Sequence, residues 1–312
     1  MKSRVILLQG GTSNERDVSL ETSNAIKQTL NNLGKTVYTI DPQSFLQNEK
    51  IDYYTMINEI LKIKCDIVFI GLHGGYGEDG TIQKLLEINN IDFTGSKFFG
   101  SFVSMNKKIS KLLARNIQIN VPKFISFYKN EKINYEQIMN NFSLPFVVKP
   151  NCSGSSVGVS IVKKESQLTE AINYAFQNDN EILVEQYIEG REITVAMFGN
   201  KPFPIVEIKP KDGWYDYLHK YTKGETIYEV PAKLSNEESD IIINLAIKIY
   251  KEFHCRDYAR IDFRYDGKEF YFLEVNTLPG MTALSLVPMA AKTVGISFND
   301  LINRIIERDW VY

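Results

Sequence analysis

Arg260, Asp262 and Glu274 stand in two runs of strand composition, residues 259–265 and 269–275, that flank a turn signal at Asp266-Gly267, and Asn276 directly follows the second. Side chains on a strand alternate faces, so Arg260 and Asp262 lie opposite Ile261 and Phe263, and Glu274 and Asn276 lie opposite Leu273 and Val275. If the two polar faces coincide, two carboxylates, an amide oxygen and a guanidinium converge. Hard oxygen donors in that number suit Mg²⁺, which takes one or two carboxylates and completes its shell with water and phosphate oxygens. This sets a condition on the turn. A two-residue Asp266-Gly267 loop would pair Tyr265 with Lys268 and put Asp262 and Glu274 on opposite faces. Asp262 directly across from Glu274 requires an odd loop, such as Gly267-Lys268-Glu269. The competing reading is an edge hairpin with a solvated polar face.

Beyond Asn276 the chain reads TLPGMTALSLVP, with a Pro279-Gly280 turn and then Ser285 and Leu286 ahead of the apolar residues 287–291. A helix start offers free backbone N–H groups to an anion. Upstream, a strand over 146–150 carries Lys149 near its end, NCSGSSVG follows over 151–158, and a strand returns over 159–162. Such a hairpin can fold over phosphates, although GxxxxGK[ST] is absent, and a mobile hairpin with a lysine at its base is the alternative. A single helical pattern over 98–116 carries Lys107, Lys108 and Lys111.

The elements that position these residues alternate at first. Strands are expected over 4–8, 36–40 and 66–72, with helices over 18–33, 53–63 and 80–88, which argues a parallel, doubly wound sheet in about the first hundred residues. The loops GGTSNER and LHGGYGEDG then fall beyond the carboxyl ends of strands, where such sheets bind ligands. The second contains a GxGxxG match, Gly75 to Gly80. It is a poor nicotinamide signal, because Glu78 and Asp79 stand where pyrophosphate must be received and the match follows the third strand instead of the first. Further on come strands over 181–188 and 193–198, the segment WYDYLHKY over 214–221, and a helix over 236–253 whose stripe Ile241, Leu245, Ile249 and Phe253 reads as core. His219 and His254 have no partner spacing and receive no role.

Taken together, RIDF with LEVNTLPGMT, KPNCSGSSVG, GGTSNERDVSL and LHGGYGEDGT resemble the D-alanine-D-alanine ligases of the ATP-grasp superfamily, in order and over essentially the whole chain. The resemblance implies an α/β, partly α+β, fold of three domains: 1–98 binding substrate, 99–182 a central lid, and 183–312 completing the ATP-grasp. It implies ATP and two Mg²⁺ ions, with Mn²⁺ as a possible substitute, held by Asp262, Glu274 and Asn276. Lys107, Lys149 and Lys220 would contact phosphates, with Glu185 near the adenine and Glu192 on the ribose. Glu15 would bind the ammonium of the first D-alanine with Ser155 and Tyr221 as partners, although Glu15 could instead be a first-turn helix acid. Ser285 and Leu286 would take the carboxylate of the second D-alanine, with His73 lining the site. Arg260 and the Gly280 N–H would form the oxyanion hole. Tyr221 accompanies use of D-alanine, not D-lactate, as the second substrate. The implied product is D-alanyl-D-alanine, a peptidoglycan precursor, and the implied assembly a homodimer. Asn106 and Gln186 depart from the aspartate and lysine common in the family. A non-catalytic ATP-binding regulator is disfavoured because every proposed metal and transition-state residue is present.

Composition is that of an ordinary globular protein. The chain has 312 residues, 44% hydrophobic and 24% charged, with a formal net charge of -2. That length suggests two or three domains, and that charge gives no reason to expect nucleic acid or an acidic membrane surface. Cys65, Cys152 and Cys255 are odd in number and lack metal-ligand spacing, so neither disulfides nor zinc are expected. The apolar run Val5 to Leu8 is too short for a signal-peptide core, and a cytoplasmic, membrane-free protein is expected.

Overall fold

The computed structural model describes residues 2–211 and 224–311. Near the amino terminus, strands Thr36–Ile40, Arg4–Leu8 and Ile67–Ile70 pair in parallel in that spatial order. Helices Arg16–Asn32 and Tyr53–Ile63 make the connections, as parallel pairing requires. A single parallel bridge, Val68 to Phe93, extends the sheet. The third strand is shorter than expected: Gly71 N–H still donates to Leu8 O, and the chain then turns into the loop before helix Thr81–Ile88.

The core of this sheet is completed from the far end of the chain. Val5 to Leu8 share one buried cluster with Leu301, Ile302, Ile305 and Ile306 of helix Phe298–Glu307 and with Val287 and Ala290 of helix Leu286–Thr293. Lys2 N–H and the Lys35 ammonium both reach the Glu307 carboxylate, at 3.0 and 2.8 Å.

A second sheet runs in the order Phe124–Tyr128, Glu181–Gln186, Phe146–Pro150, Ser160–Val162. One face packs Phe146, Val148, Ile182 and Val184 against helices Tyr135–Asn141 and Leu168–Phe176. Glu185 pairs with Val147 and Lys149 with Leu183, so Glu185 and Lys149 are diagonal neighbours on the other face.

The third sheet is antiparallel, in the order Thr226–Glu229, Val206–Pro210, Arg191–Phe198, Tyr258–Tyr265, Phe270–Asn276. Helix Asn236–Glu252 opens on a capping box between Ser235 and Glu238 and covers this sheet. Its buried residues are Ile242, Ala246, Ile249 and Tyr250, whereas Ile241 is exposed. The expected stripe advanced in steps of four, each of which drifts about 40° round the helix, so its first member leaves the core face.

Two expectations need correction. The helical pattern over 98–116 is two helices, Phe98–Met105 and Lys107–Asn116. Asn106 between them is extended (φ -86°, ψ 98°), and its side chain accepts from Ile109 N–H as the cap of the second helix. In the hairpin, Asp262 does face Glu274, but not through an odd loop. Tyr265 pairs with Phe270, leaving the four-residue loop 266–269, whose Asp266 carboxylate accepts the N–H groups of Lys268 and Glu269. Parity changes instead at a β-bulge, where the register shifts between Asp262 and Phe263 and leaves Leu273 unpaired. Without it, Leu273 would face Asp262 and Glu274 would turn into the core.

Candidate active site

The polar face of the hairpin forms as its alternation dictates. Ile261 and Phe263 are fully buried in the core, and Arg260 and Asp262 stand on the opposite side. Arg260 holds the Asp262 carboxylate at two points, Nε to Oδ1 and Nη2 to Oδ2, each 2.9 Å. Thr194 Oγ1 donates to Oδ1 from the neighbouring strand at 2.5 Å. Among the described residues, Asn276 Oδ1 is buried with no hydrogen-bond partner. A buried amide oxygen without a donor is costly, and beside two carboxylates it fits the hard-oxygen set that Mg²⁺ takes. The residues on this face therefore have the chemistry that such a metal would require.

Lys107 ties that face to the loop over the sheet. Its ammonium donates to Ser153 O at 2.7 Å and pairs with Glu274 Oε2 at 3.1 Å. Burial pulls the Lys107 ammonium toward deprotonation, but Glu274 outweighs this and holds it above the ordinary lysine value. Lys149 meets Glu185 at 2.9 Å, and Lys111 meets the other oxygen of the same carboxylate at 3.2 Å. Burial works to protonate Glu185, yet the two ammoniums prevail and keep it below the usual carboxylate range. Lys111, wholly buried, is pulled down to about 8 by burial and then by Lys149, against Glu185.

Two cavities meet here. One, of about 420 Å³, is lined by Glu15, His73, Ser155, Arg260, Gly280, Ser285 and Leu286. The other, of about 130 Å³, is lined by Lys149, Glu185, Glu192 and Asp262, with apolar walls from Val147, Ile161 and Leu273. Lys107, Ser153, Gly154 and Glu274 line both. An apolar slot ending in lysines and carboxylates suits a nucleotide, and a polar chamber suits small zwitterions.

The chamber is closed by contacts between distant loops. Glu15 occupies the cap position of helix Arg16–Asn32, but its side chain makes no capping hydrogen bond. Ser155 Oγ donates to Glu15 Oε1 instead, which argues against a purely helical role. Gly74 and Gly154 leave room for the carboxylate: a Cβ on either would fall 2.4 or 2.8 Å from Glu15 Oε2. Gly74 also has φ +67°, a backbone region that side chains resist. Gly74→Ala is therefore expected to displace the Glu15 carboxylate. If Glu15 binds the amino acid as the resemblance implies, turnover should fall about 10²-fold, as with a misplaced binding group, while the KM for ATP moves little in steady-state kinetics. His73 lies between Thr22 Oγ1, 3.0 Å from Nε2, and Glu78 Oε1, 3.5 Å from Nδ1. Ser285 stands at the cap position of helix Leu286–Thr293 without a side-chain capping bond; its Oγ instead accepts from Thr282 N–H at 3.1 Å and lies 3.0 Å from where a Gly280 Cβ would stand. Glu192 sits 3.4 Å from Arg264 at the slot's edge.

Comparison with known proteins places this geometry. The family model described as D-ala D-ala ligase C-terminus matches residues 113–307, and that described as D-ala D-ala ligase N-terminus matches residues 47–96. The chain belongs to the D-alanine-D-alanine ligase family. It is 44% identical over 308 residues to D-alanine-D-alanine ligase of Aquifex aeolicus (strain VF5), covering 97% of this chain and 99% of that one. The D-alanine-D-alanine ligase of Bacillus anthracis, solved in complex with ATP, superposes with a TM-score of 0.83 at 35% identity, covering 98% of this chain and 96% of that one. VanG D-Ala:D-Ser ligase of Enterococcus faecalis gives 0.82 at 30% identity, with 100% of both chains covered.

For this member of the D-alanine-D-alanine ligase family, Lys220 and Tyr221 lie outside the described residues. Asn106 serves as a helix cap, a task asparagine and aspartate perform equally. Gln186 lines the smaller cavity, but its N–H donates to Lys123 O at 2.8 Å, so that strand group is already committed. Sequence reasoning assigned no role to Lys111, Leu273, Glu78 or the two glycines around Glu15. Lys111 had a signal: it follows Lys107 by four positions, on the same side of one helix. Leu273 had none, because an apolar residue on a strand reads as core.

Proposed function

We propose that the chain joins two D-alanines to D-alanyl-D-alanine with ATP, for peptidoglycan precursor synthesis. The observation that carries this is the junction at Lys107 and Glu274, where the slot suited to a nucleotide meets the chamber suited to amino acids. The carboxylate of the first D-alanine attacks the γ-phosphorus of ATP, ADP leaves, and an acyl phosphate forms. The amine of the second D-alanine then attacks the acyl carbon, loses a proton and expels phosphate. Phosphoryl transfer depends mainly on positioning and charge neutralisation, which Lys107 and Lys149 supply with Lys220. Bound by Asp262, Glu274 and Asn276, Mg²⁺ supplies the remaining neutralisation of phosphate charge; two ions, replaceable by Mn²⁺, are part of the proposal.

Glu15 receives the ammonium of the first D-alanine, held in place by Ser155 and joined by Tyr221. Ser285 and the Leu286 N–H receive the carboxylate of the second, with His73 at the wall. Arg260 and the Gly280 N–H face the oxyanion of the tetrahedral intermediate, while Glu185 and Glu192 serve the adenine and ribose ends of the slot. The three buried clusters support a three-domain reading, with the last two helices seated on the amino-terminal sheet. A homodimer belongs to the same proposal, supported by the exposed Phe99, Phe102 and Leu112 on adjoining helices. No helix among the described residues is long and apolar enough to cross a membrane, and use of ATP supports a cytoplasmic location.

The test is phosphate release from Mg-ATP with D-alanine, D-serine, D-lactate or L-alanine, with mass detection of product. D-alanyl-D-alanine is the expected product, on the strength of Tyr221. Preferential release with D-serine, as the name of the Enterococcus faecalis relative would suggest, keeps the chemistry and removes the acceptor assignment. ATP binding without turnover on any D-amino acid would sink the ligase reading.

A further inference from the structure

Lys111 is fully buried on helix Lys107–Asn116, one turn beyond Lys107. Its ammonium lies 3.2 Å from Glu185 Oε2, 3.2 Å from Leu273 O and 3.4 Å from Phe272 O. The ammonium thus donates hydrogen bonds to two carbonyls and forms an ion pair with the carboxylate. Successive carbonyls of a regular strand point to opposite sides, so one donor group cannot reach both. Phe272 and Leu273 break that rule because they are the two residues at the bulge, where two positions oppose one. Strand Phe270–Asn276 ends its sheet, so carbonyls turned outward there have no further strand to meet. On the outer edge Phe272 N–H is met by Asn120 O at 2.8 Å, and Lys111 meets the carbonyls.

The same bulge sets Glu274 opposite Asp262. The Glu185 carboxylate that Lys111 holds is also the partner of Lys149, which lines the nucleotide slot. We propose that Lys111 is a positioning residue of the ligase site: it fixes the bulge that aims Glu274 at the metal face and holds Glu185 so that Lys149 stands at the slot. The inference rests on the metal and nucleotide reading given above. Lys111 itself lines neither cavity and touches no reacting atom. Lys108, its neighbour on the helix, points elsewhere and pairs with Glu181 at 2.5 Å.

The experiment compares Lys111→Met with Lys108→Met in the full chain, titrating Mn²⁺ by electron paramagnetic resonance with a non-hydrolysable ATP analogue present, beside thermal melts. Groups that orient metal ligands typically account for about 10- to 100-fold in metal affinity, so Lys111→Met should weaken Mn²⁺ about tenfold or more and still melt cooperatively. Lys108→Met should leave the affinity within about twofold on the same scale. The double variant Lys111→Met/Glu185→Gln leaves no carboxylate with one lysine too few; it carries the same test should the single variant fail to fold. There the metal defect should persist, because the bulge is still unpinned. Unchanged affinity in Lys111→Met, equal weakening in Lys108→Met, or full recovery in the double variant would each overturn the role. Absence of D-alanine-dependent phosphate release in the unmodified chain would overturn the ligase reading alone, since Mn²⁺ binding is read without turnover. An unmodified chain that binds no Mn²⁺ would overturn both.

Discussion

Glu274→Gln is expected to lower kcat on the order of 10³-fold, because Glu274 is proposed as a metal ligand at a phosphoryl transfer site, where such a ligand stands for several kcal/mol of charge stabilisation. Glutamine keeps the shape and an acceptor for Lys107, so the variant isolates the lost charge. Glu274→Ala should lose turnover to the same degree and melt at lower temperature as well. Its Lys107 would keep Ser153 O but lose the carboxylate 3.1 Å away, and a buried ammonium left short of a partner is destabilising. With Glu274 gone, burial would also push Lys107 toward its neutral form, reversing the direction the intact pair enforces. Phosphate release at saturating substrates and differential scanning calorimetry would read both effects. More than about a tenth of the original turnover in Glu274→Gln would remove Glu274 from the ligand set, given the size of the expected loss.

Arg260→Met should separate the oxyanion role proposed for this guanidinium from its clamp on Asp262. If the proposed role holds, its loss takes a donor from the oxyanion hole, which commonly costs about 10²- to 10³-fold in kcat. It also frees Asp262 from the clamp at 2.9 Å, leaving the hydrogen bond from Thr194. A cation therefore meets less competition for the carboxylate, and half-saturation by Mg²⁺ should fall or hold steady as turnover drops. Measuring kcat against Mg²⁺ concentration distinguishes the cases. Weaker Mg²⁺ with turnover preserved would mean that Arg260 serves the metal face alone.

Much of this was legible in the residues themselves. Alternation along 259–265 assigned Arg260 and Asp262 to one face correctly, because that strand is regular and its core partners Ile261 and Phe263 are strongly apolar. The pairing of Asp262 with Glu274 was also anticipated, but through the wrong device. Charge chemistry demanded a change of parity, and loop length was the only means of it that composition displays. A bulge leaves no mark in composition, so Leu273 read as core although it walls the smaller cavity. The break at Asn106 was written in the sequence as a capping residue within a helical pattern, and was passed over because apolar periodicity continues across it. The Glu15 contact with Ser155 joins residues 140 positions apart; the sequence motifs named both residues, but their direct bond is a product of the packed loops.

The seating of the last two helices on the first sheet bears on how the chain is made. A polypeptide leaves the ribosome amino end first, and domains commonly fold in that order. Here Val5 to Leu8 cannot be fully covered until Leu301, Ile302, Ile305 and Ile306 have emerged, nearly the whole length of the chain later. The first sheet synthesised is thus among the last to be sealed, and until then its apolar face is open to chaperones or to other nascent chains. Loss of the final helix by premature termination would accordingly expose the beginning of the protein, not merely shorten its end.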